Sequence, residues 1–145
     1  MAALARIAAG AVVLASVLVG PADAAPRRSI NGVSLDQRLT AVGTEPFWSL
    51  HWGRGDLFFD VNEQKVRGRF VRPRFTPGKA VWTTRTTGGR PMVVTVTRGP
   101  CSDGMSDRTY PLTVRVTIAG DRYEGCAASD AAFERNKDRD EGEIR

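Results

Sequence analysis

Residues 92–118 read MVVTVTRGPCSDGMSDRTYPLTVRVTI, and this stretch decides the fold class of the chain. Apolar and polar residues alternate on both sides of a polar centre, from Met92 to Thr97 and again from Leu112 to Ile118. A period of two places one side of an extended strand against a core and the other toward water. The stretch therefore predicts two antiparallel strands joined by the loop of residues 101–111.

The same alternation recurs along most of the chain. It is clear in residues 47–52 and 57–61 and weaker in residues 66–71, 80–84 and 123–127, with glycine- and proline-rich turns between the runs. No helical pattern precedes residue 129. About seven short strands joined by tight turns predict an all-β fold, a small antiparallel meander that forms a partly closed barrel.

The two ends of the chain differ in composition from this centre. Arg6, an apolar run over residues 7–20 and small residues at Ala22 and Ala24 match a signal peptide cleaved near Ala24/Ala25. The run is shorter than the ~20 residues of a membrane span. We therefore expect a signal peptide (1–24), a flexible lead-in (25–40), a β-barrel-like domain (41–128) and a charged tail (129–145) that is a short helix or disordered.

These features predict a periplasmic or secreted protein whose mature form has no transmembrane span. Export places the two cysteines, Cys101 and Cys126, in an oxidising compartment, where such a pair forms a disulfide. Free thiols or a metal site are the alternatives, although two cysteines without a histidine cluster make poor zinc ligands. If the strand 110–118 lies between the strands that carry them, Cys101 must leave the regular ladder to reach Cys126.

Charge is distributed unevenly along the chain. Residues 25–100 carry 13 basic and 5 acidic side chains, whereas residues 101–145 carry 7 basic and 10 acidic ones. A basic exported protein is not expected to bind nucleic acid. An envelope protein or an anionic envelope component is the expected partner, unless the basic residues serve only solubility.

Two groups of side chains are candidate binding residues. The first comprises Asp103, Met105, Asp107 and Arg108 of the loop, together with Trp48. Asp103 and Asp107, with Glu45, supply carboxylates of the kind that glycosidases use, but Asp103-Gly104 is also a turn dipeptide. Met105 is expected either to plug the barrel end beside Trp48 or to meet a partner.

The second group is a basic stripe. Arg67 and Arg69 share one face of a predicted strand, and Arg72 and Arg74 follow around Pro73. Such a stripe forms an anion-binding groove or protects an edge strand from aggregation. The one histidine, His51, alternates away from the core and is expected at the surface rather than as a catalytic base.

Three motifs carry a resemblance to a known family. AVGTEPFWSL (41–50), CSDGMSDRTYP (101–111) and YEGCA (123–127) resemble a family of uncharacterised bacterial envelope proteins, many of them predicted lipoproteins. More loosely, a small exported barrel with one disulfide is similar to inhibitors of c-type lysozyme. The resemblance implies an envelope location, while no cysteine stands near the predicted cleavage site to carry a lipid.

The sequence thus leaves three functions open. The first is a non-catalytic envelope binding or inhibitor module with no cofactor, no metal and no catalytic residue. The second is a cell-wall glycan hydrolase that uses the loop carboxylates, and the third is a structural or stress-related envelope protein.

Overall fold

The computed structural model describes residues 27–143, which form eleven strands and one helix. The predicted signal peptide lies outside the described residues. The elements are β1 (Ser29–Ile30), β2 (Val33–Ser34), β3 (Leu39–Thr44), β4 (Phe47–Gly53), β5 (Asp56–Val61), β6 (Gln64–Arg69), β7 (Arg74–Thr76), β8 (Lys79–Arg85), β9 (Pro91–Ser102), β10 (Thr109–Ile118), β11 (Asp121–Ser129) and α1 (Asp130–Glu143).

Nine of the strands form one antiparallel sheet in the order β6-β5-β4-β3-β11-β10-β9-β8-β7. Neighbours in this order are consecutive in the chain except at the centre, where β3 pairs with β11. The sheet curls until β6 meets the end of β8, where Gly68 bridges Thr86 and Thr87 N donates to Arg67 O at 2.8 Å. The predicted all-β, partly closed antiparallel barrel is confirmed.

The inner face of the curled sheet carries the hydrophobic core. Trp52 of β4 and Trp82 of β8 are fully buried and meet edge to face, with ring centroids 5.8 Å apart. Because β4 and β8 lie far apart in the strand order, this contact crosses the barrel interior. Each large apolar side chain buried there contributes about 1.5–3 kcal/mol to folding.

Residues 27–38 are structured and pack on the barrel as a separate element, contrary to the flexible lead-in that composition predicts. They include the hairpin β1–β2, and both Ile30 of the hairpin and Leu35 directly after it are buried in the core. Asn31 Nδ2 donates to Pro111 O at 2.9 Å. Composition does not reveal this element, because its few apolar side chains, Ile30, Val33 and Leu35, are separated by polar residues.

The central strand β3 also lacks a clear sequence signal. Leu39 and Ala41 point into the core, but Thr40 on the opposite face is buried as well. A strand covered on both faces has no polar and apolar alternation to detect. The edge strand β7 also gives no sequence signal, because its three residues are too few to show a period of two.

Two glycines of β3 and β11 allow Trp48 to approach the backbone. A Cβ atom on Gly43 would overlap the Trp48 indole, and one on Gly125 would overlap Val42 O. Trp48 is only 4% exposed and packs against Phe59 and Tyr123, with ring centroids 5.6 and 6.3 Å away. Trp48 is therefore a core residue.

The disulfide Cys101–Cys126 joins two strands that are not neighbours. Strands two apart lie about 9.6 Å from each other at regular spacing, yet the two Cα atoms are 5.5 Å apart. The register of β9 on β10 shifts between Tyr110 and Leu112, and Cys101 pairs with Tyr110 beyond this bulge. The bulge bends the hairpin end across β10 toward β11, as the spacing argument predicts.

Helix α1 continues from β11 and confirms the helical alternative for the charged tail. Ala132 N donates to the Ser129 hydroxyl at 3.3 Å, so Ser129 caps the first turn.

No helix among residues 27–143 has the length and apolar character required to cross a membrane.

Gly43→Ala is expected to destabilise the protein by about 3 kcal/mol or more, because its Cβ has no room beside Trp48. Gly88→Ala is the matched control, since its Cβ would meet nothing nearer than Thr86 Oγ1 at 3.8 Å and should change stability by less than about 0.5 kcal/mol. Urea unfolding followed by tryptophan fluorescence measures both variants. Equal effects would contradict the packing argument.

A Cys101→Ser/Cys126→Ser double variant is expected to lose about 3–4 kcal/mol of stability, because the bond closes a chain segment with a sequence separation of 25. The corresponding fall in Tm is roughly 10 °C or more. Reductant should lower the Tm of the parent protein to that of the variant and leave the variant unchanged. A variant as stable as the parent would show that the bond does not hold the fold.

Candidate functional site

The outer face of the sheet carries a second layer formed by the 101–111 loop and α1. Tyr110 stacks on Phe133 with ring centroids 5.3 Å apart, and the two rings cover Cys126 and Ala128 of β11. Arg108 Nη2 donates to Asn136 O at 3.5 Å and ties the loop to the helix. The loop is thus clasped to the sheet by a disulfide on one side and by α1 on the other.

Asp103 organises the loop from within. Its Oδ1 accepts hydrogen bonds from Met105 N at 3.0 Å and Ser106 N at 2.9 Å. Its Oδ2 accepts from the hydroxyls of Ser106 at 2.8 Å and Tyr110 at 3.2 Å. The hydrogen bond from the Ser106 backbone, together with the one from the Met105 backbone, lowers the pKa of Asp103 to about 2.

This carboxylate is therefore poorly suited to acid catalysis. A general acid needs a pKa near or above the working pH, and Asp103 has the opposite shift while its oxygens are occupied by turn donors. The neighbouring Tyr110 has a raised pKa, caused first by burial and then by the Asp103 charge. Asp103 acts as a turn residue, in agreement with the structural interpretation of Asp103-Gly104.

Met105 projects into solvent. Its side chain is 68% exposed, so it does not plug the barrel end beside Trp48. Phe47 is 64% exposed and pairs with Thr44 on the outer face, and the Thr44 hydroxyl donates to Asp103 O at 3.4 Å. Two exposed apolar side chains therefore flank the contact between the loop and the β3–β4 turn.

The predicted site residues do not converge on one place. Asp103, Met105, Asp107 and Arg108 lie together in the loop on the outer face. Trp48 points into the core, and Arg67 and Arg69 lie on β6, at the far edge of the sheet. The structure thus separates the loop from the basic stripe, with β11, β3, β4 and β5 between them.

The basic stripe borders a groove on the outer face. The Arg67 guanidinium lies 5.2 Å from the centre of the Phe58 ring, directly across from it on β5. The groove has a volume of about 450 Å³, and Arg38, His51 and Asp56 also line it. Arg38 is engaged by Asp56 at 3.7 Å and by Asp130 at 3.2 Å.

By contrast, the four arginines of the stripe form no ion pair with a carboxylate in the part of the chain that the structure describes. Within residues 27–143, no ion pair involves Arg67, Arg69, Arg72 or Arg74. All four are exposed. Of the two arginines that line the groove, Arg38 is engaged by carboxylates and Arg67 is available to a ligand.

A polar cluster beside this groove has no counterpart in the sequence analysis. The Thr40 hydroxyl donates to Asp130 Oδ1 at 2.5 Å and lies 2.8 Å from His51 Nδ1. Arg38 Nε donates to Asp130 Oδ2 at 3.2 Å. The alternation of residues 47–52 shows that His51 faces outward. Its contact with Thr40, however, depends on the register of β3 on β4, and the contact of Thr40 with Asp130 depends on where α1 starts.

His51 also lines a second groove, of about 320 Å³, between α1 and the sheet. Thr40 and Ser49 form its floor, and Phe133 and Lys137 of the helix form part of its wall. The two grooves therefore meet at His51.

In the described part of the chain, no three His, Cys, Asp or Glu side chains are placed to hold a metal ion together.

Comparison with protein-family models, curated proteins and solved structures found no match to this chain.

The bonds to Asp103 make the stability of the loop dependent on pH. Because the pKa is lowered from 3.8 to about 2 in the folded protein, the stabilisation is present above pH 4 and is lost as the pH falls toward 2. We expect Asp103→Asn to lower the urea midpoint at pH 7 and to flatten its decline between pH 4 and pH 2.

Asp107→Asn provides the matched control for this experiment. Asp107 is exposed and forms no hydrogen bond or ion pair with any described residue, so its replacement should change stability by less than about 0.5 kcal/mol. Parallel pH profiles for the parent protein and Asp103→Asn would refute the assigned role.

Proposed function

We propose that this protein is an exported binding module of the cell envelope, and that it binds an anionic group in the groove beside β6. The observation that carries the proposal is Arg67, which lies over Phe58 in a groove of about 450 Å³ and forms no ion pair with any described carboxylate. A guanidinium is a preferred group for binding carboxylate and phosphate because it offers several donors in one plane.

The position of Arg67 favours binding over simple edge protection. Contact with the Phe58 ring orients the guanidinium and removes part of its water. The bridge between Gly68 and Thr86 already closes part of the β6 edge, so less of this strand requires protection from aggregation. Arg69 adds a second cation on the same face, opposite Asp56.

Three features support the proposed export. The first 24 residues have the order of a signal peptide. The Cys101–Cys126 disulfide is the state that an oxidising compartment maintains. The resemblance of the GTEPFW and CSDGMSDRTYP motifs to envelope proteins supports the same location.

A binding role accounts for the structure better than a glycan hydrolase. A hydrolase of this type needs two carboxyl groups across a cleft, one of them with a raised pKa. Asp103 has a lowered pKa and four hydrogen bonds inside its own turn. The other two candidate carboxylates of the hydrolase hypothesis, Asp107 and Glu45, are exposed.

Charge removal at the groove tests the proposal. Arg67→Ser/Arg69→Ser is expected to weaken binding to an acidic polysaccharide such as polygalacturonate by about tenfold, or roughly 1.4 kcal/mol. Binding by the parent protein should weaken as salt rises from 50 to 200 mM, because added ions screen the exposed arginines. Isothermal titration calorimetry measures both effects.

Arg72→Ser/Arg74→Ser removes the same charge outside the groove and is the matched control. It should reduce affinity by less than about threefold, since only long-range attraction is lost. If both double variants lose affinity equally, binding follows net charge and the groove has no special role. If the parent protein binds no polyanion, the proposed function is wrong.

A further inference from the structure

His51 occupies the junction of the two outer-face grooves and is the one histidine of the chain. Its backbone lies between Thr40 on β3 and Phe58 on β5 in the register of the sheet. The Nδ1 edge of the ring faces Thr40 at 2.8 Å. The opposite edge, with Nε2, therefore faces away from β3.

The direction of the hydrogen bonds determines which ring nitrogen carries the proton. Thr40 has a single hydroxyl hydrogen, and it is donated to Asp130 Oδ1 at 2.5 Å. The Thr40 oxygen is thus the acceptor in its contact with His51, so Nδ1 of His51 bears the hydrogen. In a neutral imidazole of this tautomer, Nε2 is an acceptor only.

Asp130 is itself held in place. Arg38 Nε donates to its second oxygen at 3.2 Å, and the Asp130 backbone N donates to Arg38 O at 3.1 Å. Thr40 is buried against the sheet. Asp130 and Thr40 therefore position the ring of His51.

The acceptor at Nε2 restricts what the groove can bind. No described residue forms a hydrogen bond with Nε2. A carboxylate or phosphate oxygen offers only lone pairs and gains nothing from another acceptor, whereas a hydroxyl can donate to it. Arg67 lines the same groove, and its guanidinium prefers an anionic group.

We propose that the ligand is an acidic glycan: its anionic group binds at Arg67, and a sugar hydroxyl donates to His51 Nε2. This inference rests on the proposed function and specifies its ligand. A chain of sugars can continue from this groove into the one beneath α1, because His51 lines both. A flat lipid surface fits less well, since half-buried His51 is reached from within a groove.

The proton assignment is tested directly by nitrogen-15 NMR of the imidazole. With one histidine in the chain, the spectrum contains one pair of ring nitrogens. We expect a protonated Nδ1 and an unprotonated Nε2 at neutral pH, and a change of tautomer or a mixture in Thr40→Val. Thr40→Ser retains the hydroxyl and should retain the tautomer. A proton on Nε2 in the parent protein would overturn the inference.

Ligand choice is tested with two polyanions, polygalacturonate, which carries hydroxyls, and inorganic polyphosphate, which lacks sugar hydroxyls. His51→Phe should weaken polygalacturonate binding by about three- to tenfold, the effect of one hydrogen bond, and leave polyphosphate binding within about twofold. His51→Gln restores an acceptor oxygen and should recover part of the loss. Arg67→Ser should weaken the binding of both polymers.

The outcomes separate the two proposals. If His51→Phe changes the binding of both polymers equally, the groove binds anions but does not select hydroxyls, and only the present inference fails. If neither polymer binds the parent protein, the proposed function fails and this inference with it. If anionic phospholipid vesicles compete better than polygalacturonate, the ligand is a lipid surface and the glycan assignment is wrong. Thermal unfolding of each variant confirms that it is folded.

Discussion

The pairing of β3 with β11 is the constraint on which the rest of the structure depends. It joins the first four strands of the sheet to the last five, since every other neighbour in the sheet is consecutive in the chain. The four pairs from Cys126↔Val42 to Ser129↔Leu39 bring the end of β11 beside the start of β3. Asp130, the next residue, then lies within reach of Thr40. A long-range strand pair thus assembles both the barrel and its polar cluster.

The side chains on the two faces of β3 and β11 have different surroundings. Inward side chains such as Leu39 and Ala127 complete the core, whose burial provides most of the stability. Outward side chains meet the bent hairpin end and α1, and the disulfide holds that layer in place. Because the second layer covers only part of the outer face, β4 and β5 retain open grooves beside it. The extent of this layer therefore determines both which part of the outer face is covered and where the grooves lie.

The candidate site shows where sequence reasoning succeeds and where it ends. Turn chemistry at Asp103 was recognisable because its hydrogen bonds span only two to seven residues. The basic stripe was recognisable because alternation places Arg67 and Arg69 on one face. Thr40, His51 and Asp130 were not recognisable as a cluster, since Thr40 and Asp130 are 90 residues apart in the chain. Local patterns carry no information on which distant strands become neighbours.

The sequence by itself determined the strands that alternate clearly, the turns between them, the disulfide partners and the distribution of charge. These properties follow from side-chain period and residue type, which act over a few residues. Only the tertiary structure decided that Met105 is exposed, that the β1–β2 hairpin is buried and that His51 joins two grooves. Each of these depends on strand order and sheet curvature, which arise from the burial of a shared core across the whole chain.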